Sequence, residues 1–317
     1  MRLNFKKVLV TGGAGFIGSH LVDALVLEGC EVSVIDDLST GHLSNLKHIK
    51  KHITFYQGDI LNRELLTNAA KECDIIFHLA AVVFVPQTVD NPVDSAMINE
   101  MGTLFVLEAA RENKVKRVVF ASSCAVYGDD PIVPKHEKMN PKPQSPYALH
   151  KLTGEHYARL YHDLYGLETV SLRYFNVYGP RQDPSSPYSG VISIFMNKAS
   201  TKTAPVIYGD GNQYRDFVFI NDVVRANLIA ANIRRTRGET FNVGTGEFTR
   251  IHRLWEMIRR LADLDIEPEY ESSRSGDILE SVADVSHIHK TLGFKPEYAF
   301  EKGLEITFEW YIGRKNL

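Results

Sequence analysis

Three glycines between two short apolar runs are the feature of this sequence that most constrains its fold. Residues 6–10 (KKVLV) are followed by Gly12, Gly15 and Gly18, and then by apolar residues at helical spacing. A strand, a tight turn and a helix account for this order. In that arrangement Gly12 permits the turn, Gly15 lets the backbone approach a diphosphate, and Gly18 lets the helix lie close to the strand. The sequence therefore predicts a diphosphate bound at the N-terminus of the first helix.

An acidic residue makes the prediction more specific. Asp36 ends a second strand-like run (residues 30–35, CEVSVI), where its carboxylate can accept hydrogen bonds from the hydroxyls of a ribose. The residues that follow it, Asp37, Leu38 and Ser39, include no Arg or Lys that could bind a 2′-phosphate. The sequence therefore predicts NAD, rather than NADP, as the cofactor.

Strand-like and helical runs alternate through the first half of the chain. Strands are predicted at residues 8–11, 32–35, 53–57, 74–79, 117–122 and 168–173, and helices at 18–28, 62–71, 95–113 and 147–165. This alternation is typical of an α/β fold, a Rossmann-type doubly wound parallel sheet whose ligands gather at the carboxyl ends of the strands. We expect an NAD-binding domain of residues 1–178 plus about 217–247. A smaller α/β C-terminal substrate-binding lobe would comprise about 179–216 and 248–317.

Composition and charge argue against several classes of protein. No apolar run reaches the roughly 18 residues that would span a membrane, and the net charge of −3 argues against a dedicated nucleic-acid binder. Cys30, Cys73 and Cys124 are too widely spaced for a zinc motif or a disulfide framework, and no metal site is predicted. Because Met1 leads almost directly into the first strand, without room for a signal peptide, we expect a cytoplasmic protein.

Ser123, Tyr147 and Lys151 form the candidate catalytic group. Tyr147 and Lys151 are four residues apart just after Pro146, which can begin a helix, so their side chains share one helical face. A lysine ammonium beside a phenol favours the phenolate and should lower the pKa of Tyr147 below its usual value near 10. Ser123 ends a predicted strand at the edge where the reactive ring of the cofactor would lie. These groups can move a proton and a hydride at one carbinol carbon.

Two other pairs in the sequence share the spacing of Tyr147 and Lys151. They are Tyr298 with Lys302 and Tyr311 with Lys315, and neither follows a serine at the end of a strand. Cys124 is a less favoured candidate nucleophile, because no histidine is placed to activate its thiol.

At these residues the sequence resembles the extended short-chain dehydrogenase/reductases, in particular the NAD-dependent sugar epimerase/dehydratase group and, within it, the UDP-hexose 4-epimerases. The resemblance covers nearly the whole chain. It is carried by residues 11–18 (TGGAGFIG), Asp36, residues 59–60, residues 78–81 (HLAA), residues 122–123 with 126–128 (VYG), Tyr147 with Lys151, residues 172–181 (LRYFNVYGPR), residues 215–216 and residues 274–277 (RSGD).

The resemblance implies a catalytic role for Ser123, Tyr147 and Lys151, with Tyr147 as the base. The residues that it implies for NAD binding are Gly12, Gly15, Phe16, Ile17, Gly18, Asp36, Asp37, Asp59, Ile60, Leu79, Ala80, Ala81, Asn99, Ser122, Tyr147, Lys151 and Tyr174. For a UDP-sugar substrate the implied residues are Phe84, Ser123, Tyr147, Asn176, Val191, Tyr208, Arg215, Arg274, Asp277 and Ser281. Asn176, Arg215 and Arg274 would bind the diphosphate, and Tyr208 would pack on the uracil.

Several related activities remain open at this point. A 4,6-dehydratase of this group carries an acidic pair where this chain has Cys124 and Ala125, and a decarboxylase carries a glutamate at the position of Ala125. A uronate 4-epimerase needs an extra cation for the sugar carboxylate, which the sequence alone does not locate. A non-catalytic NAD-sensing protein of the same fold would be free to lose Ser123, Tyr147 or Lys151, yet all three are present.

The resemblance also implies a specificity position and an assembly. Ser281 corresponds to a position beside the 2-substituent of the sugar, where a bulky tyrosine restricts relatives to glucose and galactose and a serine leaves space for an N-acetyl group. Phe84 could fill part of that space. The helices predicted at 95–113 and 147–165 correspond to those that form a four-helix dimer contact, so we expect a homodimer.

Overall fold

A parallel sheet forms the centre of the computed structural model, which describes residues 3–183, 190–273 and 279–313. In chain order the strands in these ranges are β1 (Lys7–Thr11), β2 (Glu31–Asp36), β3 (Ile53–Gln57), β4 (Ile75–His78), β5 (Arg117–Ser123), β6 (Glu168–Tyr174), β7 (Asn176–Tyr178), β8 (Val206–Tyr208), β9 (Tyr214–Arg215), β10 (Phe217–Phe219), β11 (Glu239–Val243), β12 (Thr249–Arg250), β13 (Glu269–Glu271) and β14 (Glu280–Ser281).

Seven of these strands make up the central sheet. Their order across it is β11-β6-β5-β4-β1-β2-β3, and every neighbouring pair is parallel. The order reverses at β1, which places β1 and β4 side by side at the point where such sheets bind their ligands. The predicted Rossmann-type fold is confirmed. β11, from the second half of the chain, returns to this sheet beside β6.

Helices cover both faces of the sheet. They are α1 (Phe16–Leu27), α2 (Arg63–Ala69), α3 (Val85–Asp90), α4 (Pro92–Ala96), α5 (Gly102–Glu112), α6 (Pro146–Tyr165), α7 (Val191–Thr201), α8 (Ile220–Asn232), α9 (Ile251–Leu261), α10 (Ser286–Leu292) and α11 (Phe300–Gly313). Short 3-10 helices span Leu43–His52 and Cys124–Tyr127. None of the helices within the described ranges is long and apolar enough to cross a membrane.

The alternation of side chains along β1 divides the core into two layers. Val8 and Val10 point to the layer that also holds Leu21 and Leu25 of α1, whereas Leu9 points to the opposite layer, with Val106 and Leu107 of α5. Successive residues of a strand face opposite sides, so one buried strand supplies both layers.

The single helix predicted for residues 95–113 is wrong in one respect. The structure has α4, then one π-helical turn (Met97–Met101), and then α5. Asn99 lies in that turn, and the Thr103 hydroxyl donates to the Asn99 carbonyl at 2.6 Å. Irregular turns of this kind occur where a side chain must be aimed away from the regular helix, and Asn99 is such a residue.

Three small sheets lie outside the central one. β7 pairs with β10, β8 with β13, and β9 lies between β12 and β14. The parallel register of β9 and β14 places Ser281 beside Arg215. The division of the chain into two lobes at the predicted boundaries stays a prediction.

Candidate active site

The glycine-rich turn between β1 and α1 has the shape that its spacing predicts. Gly12 has a φ of +70°, and a Cβ there would lie 2.8 Å from the backbone nitrogen of Ala80. A Cβ on Gly18 would lie 2.1 Å from the carbonyl oxygen of Gly12. Gly15 precedes α1 and has no side chain to cap it. The first N–H groups of α1 are therefore suited to an anionic ligand, while Phe16 and Ile17 pack half-buried against the core.

Asp36 lies beside this turn, at the end of β2. Its Oδ2 accepts the backbone N–H of Ala14 at 2.8 Å, and its Oδ1 accepts that of Leu38 at 2.9 Å. Burial raises the pKa of Asp36, and these two hydrogen bonds oppose the shift. Each oxygen has a second lone pair for a ribose hydroxyl. Asp37 instead accepts the backbone N–H and the hydroxyl of Ser39, at 3.0 and 2.7 Å.

The loop after β3 holds Asp59 and Ile60. Asp59 Oδ1 accepts the backbone N–H of Leu61 at 2.8 Å, and it is Asn62 that caps α2, by accepting the N–H of Leu65 at 3.1 Å. Asp59 is therefore not the cap of that helix. Ile60 is buried in the core layer beside α5, so its side chain contributes to packing.

Buried hydroxyls fix the end of β4. The Thr11 hydroxyl accepts the backbone N–H groups of Leu79 and Ala80, at 3.2 and 3.3 Å. The His78 ring lies between Thr11 Oγ1 at 2.8 Å and Thr103 Oγ1 at 2.9 Å. Burial lowers the pKa of His78 to about 3, so the ring is neutral at physiological pH. His78 is a structural residue that holds Leu79, Ala80 and Ala81 against Gly12.

Asn99 clamps the segment that follows. Its Oδ1 accepts the N–H of Val82 at 2.7 Å, and its Nδ2 donates to the Val82 carbonyl at 2.9 Å. Both ends of the amide are thus bonded to the backbone beside Ala81. In the structure Asn99 positions this segment, which leads to the half-buried Phe84 at the start of α3.

The candidate catalytic side chains meet where β5 ends and α6 begins. The Ser145 hydroxyl caps α6 by accepting the N–H of Ala148 at 3.2 Å, and Pro146 occupies the first helical turn. Tyr147 therefore lies in that turn, and its phenol lies close enough to Ser123 for the serine side chain to favour the phenolate. The Lys151 Nζ lies 5.9 Å from the centroid of the Tyr147 ring. The structure brings together the three residues that the sequence predicts to act together.

The pKa of Tyr147 is raised in the structure, whereas the sequence predicts that it is lowered. Burial raises the pKa of Tyr147 to about 12, and the nearby Ser123 side chain opposes the shift. The predicted lowering of this pKa is therefore wrong for the structure, because the Lys151 ammonium donates to the Ala121 carbonyl at 2.7 Å rather than to the phenol. Burial also lowers the pKa of Lys151 to about 8, against the opposing charge of Glu155.

Ser122 and Tyr174, two predicted cofactor residues, use their hydroxyls inside the protein. The Ser122 hydroxyl donates to Glu155 of α6. Tyr174 lies opposite Ser123 in the register of β5 and β6, and its hydroxyl donates to Asn227 Oδ1 at 2.9 Å. Neither hydroxyl is directed at a ligand, although both residues lie at the ligand-binding edge of the sheet.

The residues predicted to bind the substrate converge on Asp216. Asn176 donates its N–H and its Nδ2 to the Asp216 carbonyl, at 3.0 and 3.1 Å. The buried Asp216 carboxylate accepts four hydrogen bonds, from the N–H groups of Thr245, Gly246 and Ala283 and from the Thr245 hydroxyl. The carboxylate of Asp216 thus joins the segment of Thr245 and Gly246 to Ala283, just after the strand that carries Ser281, while its backbone carbonyl holds Asn176. Arg215 directly precedes Asp216 and is positioned with it.

Ser281 lies near the catalytic group. Its hydroxyl lies close enough to the thiol of Cys124, the residue after Ser123, to lower the pKa of that thiol. Burial raises the pKa of Cys124 to about 11, so the thiol is protonated and is a poor nucleophile at neutral pH.

The remaining predicted substrate residues are more dispersed. Tyr208 ends β8 and is half-buried, and its carbonyl accepts Gln213 Nε2 at 2.8 Å. Val191 begins α7 and is also half-buried. Arg274 and Asp277 lie outside the described residues. Within the described ranges, the structure contains no group of three or more His, Cys, Asp or Glu side chains that could hold a metal ion.

Sequence reasoning missed two charged centres of the site. The first is the buried pair of Glu155 and Arg173, and the second is the Asp216 carboxylate, which accepts hydrogen bonds from two separate segments of the chain. Glu155 follows Lys151 by four residues, which places it on the same helical face, and this spacing could have indicated it. The partners of Asp216 come from distant parts of the chain, and no local signal indicates them.

Comparisons with known proteins agree with this geometry. The model of the "NAD dependent epimerase/dehydratase family" matches residues 8–244. A UDP-glucose 4-epimerase of Mycolicibacterium smegmatis is 40% identical over 314 residues, which cover 98% of this chain and all of the relative. The structure of a UDP-N-acetylglucosamine 4-epimerase from Methanobrevibacter ruminantium, in complex with UDP-N-acetylmuramic acid, is 41% identical with a TM-score of 0.94 and covers 98% of this chain and 99% of that one. A Thermus thermophilus UDP-glucose 4-epimerase in complex with NAD is 36% identical with a TM-score of 0.88, covering 97% and 99%.

Proposed function

The chain belongs to the NAD-dependent epimerase/dehydratase family, and we propose that within this family it is a UDP-hexose 4-epimerase. Its cofactor is NAD. The observation that carries the proposal is the single group formed by Ser123, Tyr147 and Lys151, beside which Cys124 and Ala125 supply no carboxylate.

The residues present fit the cofactor. A Cβ at Gly12 or Gly18 would clash with backbone atoms of the protein, so these glycines permit the tight turn and the close packing of α1. A Cβ at Gly15 would meet only the Gly12 carbonyl oxygen within 4 Å, at 3.3 Å, so the main chain there is open to a ligand. Asp36 at the end of β2 would hold the adenine ribose, and Lys151 of α6, whose ammonium lies at the end of β5, would hold the nicotinamide ribose. NAD, when bound, supplies the acceptor and the donor of a hydride.

Side chains of the protein would remove and return the proton of the sugar 4-hydroxyl. The 4-hydroxyl of the hexose would bind between the Ser123 hydroxyl and the Tyr147 phenol, which lie close to each other. Tyr147 would take the hydroxyl proton as carbon 4 is oxidised, and return it when the 4-keto sugar is reduced on its other face. Because burial disfavours the phenolate, the nearby positive charge of Lys151 would be needed to stabilise it.

The absence of a second acid next to Ser123 argues for epimerisation over elimination. A dehydratase has to protonate a leaving hydroxyl at a neighbouring carbon, which requires an acid poised near neutral pH. The Cys124 thiol has a pKa of about 11, and Ala125 has no ionisable group. The site therefore supports one reversible proton and hydride transfer at a single carbon.

The position of Ser281 supports use of both plain and N-acetylated hexoses. Ser281 lies near Cys124, one residue beyond Ser123, so a sugar with its 4-hydroxyl on Ser123 would extend towards Ser281. A serine side chain leaves more space there than a tyrosine. Arg215, Asn176 and Tyr208 would bind the UDP moiety, together with Arg274. We propose activity on UDP-glucose/UDP-galactose and on UDP-N-acetylglucosamine/UDP-N-acetylgalactosamine.

The protein as purified, with no NAD added, tests the proposed reaction. Interconversion of UDP-glucose and UDP-galactose under these conditions supports it, because a transient hydride transfer returns the cofactor to its starting state. A requirement for stoichiometric NAD, with accumulation of NADH, would contradict it.

We also propose a homodimer, through the exposed faces of α4 and α6. Leu149, Leu160 and Leu164 lie on one face of α6 and are 50%, 48% and 67% exposed. Val93 and Met97, at α4, are exposed as well. Within the helix predicted at 95–113, Val106 and Leu107 are buried in the core of the same chain and are not available to a partner. Pairing of two such surfaces would remove the exposed leucines from water.

A further inference from the structure

Glu155 is a buried charge that the proposed mechanism does not use. It lies one helical turn after Lys151 on α6 and forms a bidentate ion pair with Arg173 of β6. Arg173 Nε and Nη2 donate to its two oxygens at 2.8 and 2.6 Å. The exposed fractions of the two side chains are only 6% and 5%. Burying two charges costs about as much free energy as their attraction returns, so stability alone is a weak reason for the pair.

The contacts of Glu155 reach the end of β5. The Ser122 hydroxyl donates to the same carboxylate, and the Lys151 ammonium donates to the carbonyl of Ala121 at 2.7 Å. Two consecutive residues of β5 are thus bonded to α6, directly before Ser123. Because Ser123 lies on β5 and Tyr147 on α6, these two bonds fix the position of Ser123 relative to Tyr147.

The charge of Glu155 also acts on Lys151. Burial lowers the pKa of Lys151, and Glu155 is the group that raises it. The other titratable groups around Lys151 are Tyr147 and His150 on α6 and His78 on β4, with Glu100 near His150 and Arg173 behind Glu155. Burial lowers the pKa of both histidines, so they are neutral at physiological pH and supply no counter-charge.

We propose that Glu155 is a positioning residue for the reaction, which holds Ser123 in register with Tyr147 through Ser122 and keeps Lys151 in its charged form. The expected effects on kcat rest on the proposed function. The expected effects on the affinity for NAD do not depend on the substrate, because the Lys151 ammonium would donate to the nicotinamide ribose whatever sugar is bound.

The chain contains a matched control for this pair. Arg117 and Glu168 form another Arg–Glu ion pair, with the Arg117 side chain fully buried, and they join β5 to β6 at the ends of these strands farthest from Ser123 and Arg173. Arg117 precedes Ser122 by five residues, which corresponds to about 16 Å along a strand. Substitution there also removes a buried ion pair, but at a distance from Lys151.

Three variants separate the two roles of Glu155. Glu155→Gln retains an oxygen that can accept the Ser122 hydroxyl but removes the charge. Ser122→Ala removes the hydroxyl but retains the charge. The double variant Glu155→Met/Arg173→Met replaces the ion pair with apolar side chains, a change that often leaves a protein stable. It takes the place of Glu155→Gln if that variant does not fold. Arg117→Met/Glu168→Met is the control.

For each variant, kcat and the affinity for NAD are measured as functions of pH. The alkaline limb of both profiles should move to lower pH by about one unit in Glu155→Gln and in the double variant, the shift expected for loss of one nearby charge. Ser122→Ala should lower kcat about tenfold without moving either limb, and the control should move neither. An unmoved alkaline limb in the Glu155 variants, or an equal shift in the control, would overturn the proposal. If the parent protein epimerises no UDP-hexose, the proposed function fails while the NAD titration still tests Glu155.

Discussion

Ser281 lies close enough to Cys124 for its hydroxyl to oppose the rise in the pKa of the Cys124 thiol, although about half the chain separates the two residues. They come close because β14 pairs with β9 and places Ser281 beside Arg215, at the edge of the site where β5 ends. A residue proposed to select the sugar thus lies near the residue that follows Ser123.

Ser281→Tyr should abolish activity on UDP-N-acetylglucosamine and largely spare activity on UDP-glucose. A tyrosine at this position would occupy the space of the acetamido group, and an overfilled pocket rejects the larger ligand only. The measurement is kcat/KM for both substrates. Ser281→Ala is the control and should retain both activities. The proposed specificity is wrong if wild type does not turn over UDP-N-acetylglucosamine, or if Ser281→Tyr changes both activities equally.

Tyr147→Phe should lower kcat by about two to four orders of magnitude, the usual contribution of a positioned base. Tyr298→Phe is a matched control, because Tyr298 has the same spacing to Lys302 but is hydrogen-bonded to Asn221 at 3.0 Å. It should retain activity near that of wild type. Comparable losses in the two variants would show that Tyr147 is not the base.

Acid should destabilise the fold through His78. Its pKa in the folded protein, about 3, lies below the ordinary value of 6.5, so the unfolded chain takes up the proton first as the pH falls. The stability that the neutral ring contributes is complete above pH 6.5 and declines below it, by about 2 kcal/mol at pH 5. His20, whose pKa burial lowers to about 4, acts in the same direction.

Urea unfolding at pH 7 and pH 5 measures this effect. His78→Gln, whose amide can bond to Thr11 and Thr103, should reduce the loss of unfolding free energy between the two pH values. The exposed His52→Gln is the control and should leave that loss as in wild type. An unchanged loss in His78→Gln would contradict the assignment.

Leu164→Glu should convert the proposed dimer into a monomer, because a charge would replace a side chain buried between two copies. Leu27, which is 88% exposed on α1, provides the control variant Leu27→Glu. Light scattering at micromolar concentration gives the molar mass. A monomeric wild type, or a dimer that tolerates Leu164→Glu, would contradict the proposed interface.

The glycine turn, the doubly wound parallel sheet and the grouping of Ser123, Tyr147 and Lys151 could all be predicted from the sequence. Each depends on local spacing: glycines at fixed intervals, alternating apolar runs, and two residues four apart after Pro146. Local spacing is sufficient there because one turn or one helix sets the geometry.

The other features of the site depend on contacts between residues that are distant in the sequence. The pKa of Tyr147 rises because burial dominates and Lys151 bonds to Ala121, which no spacing indicates. Asn99 bonds to Val82 because a π-helical turn aims its side chain at that backbone. Val106 and Leu107 face their own core because the second layer of the sheet lies beside α5. Contacts of this kind can be identified only when the three-dimensional arrangement of the chain is known.

The fate of the hydrogen on carbon 4 tests the central claim most directly. UDP-glucose carrying deuterium at carbon 4 is converted by the protein in ordinary water, with no NAD added, and the UDP-galactose formed is examined by mass and by NMR. Removal and return of one hydride predicts that the deuterium remains at carbon 4 of the product. Replacement of the deuterium by hydrogen from water, or a product that has lost a hydroxyl, would contradict the proposed 4-epimerase.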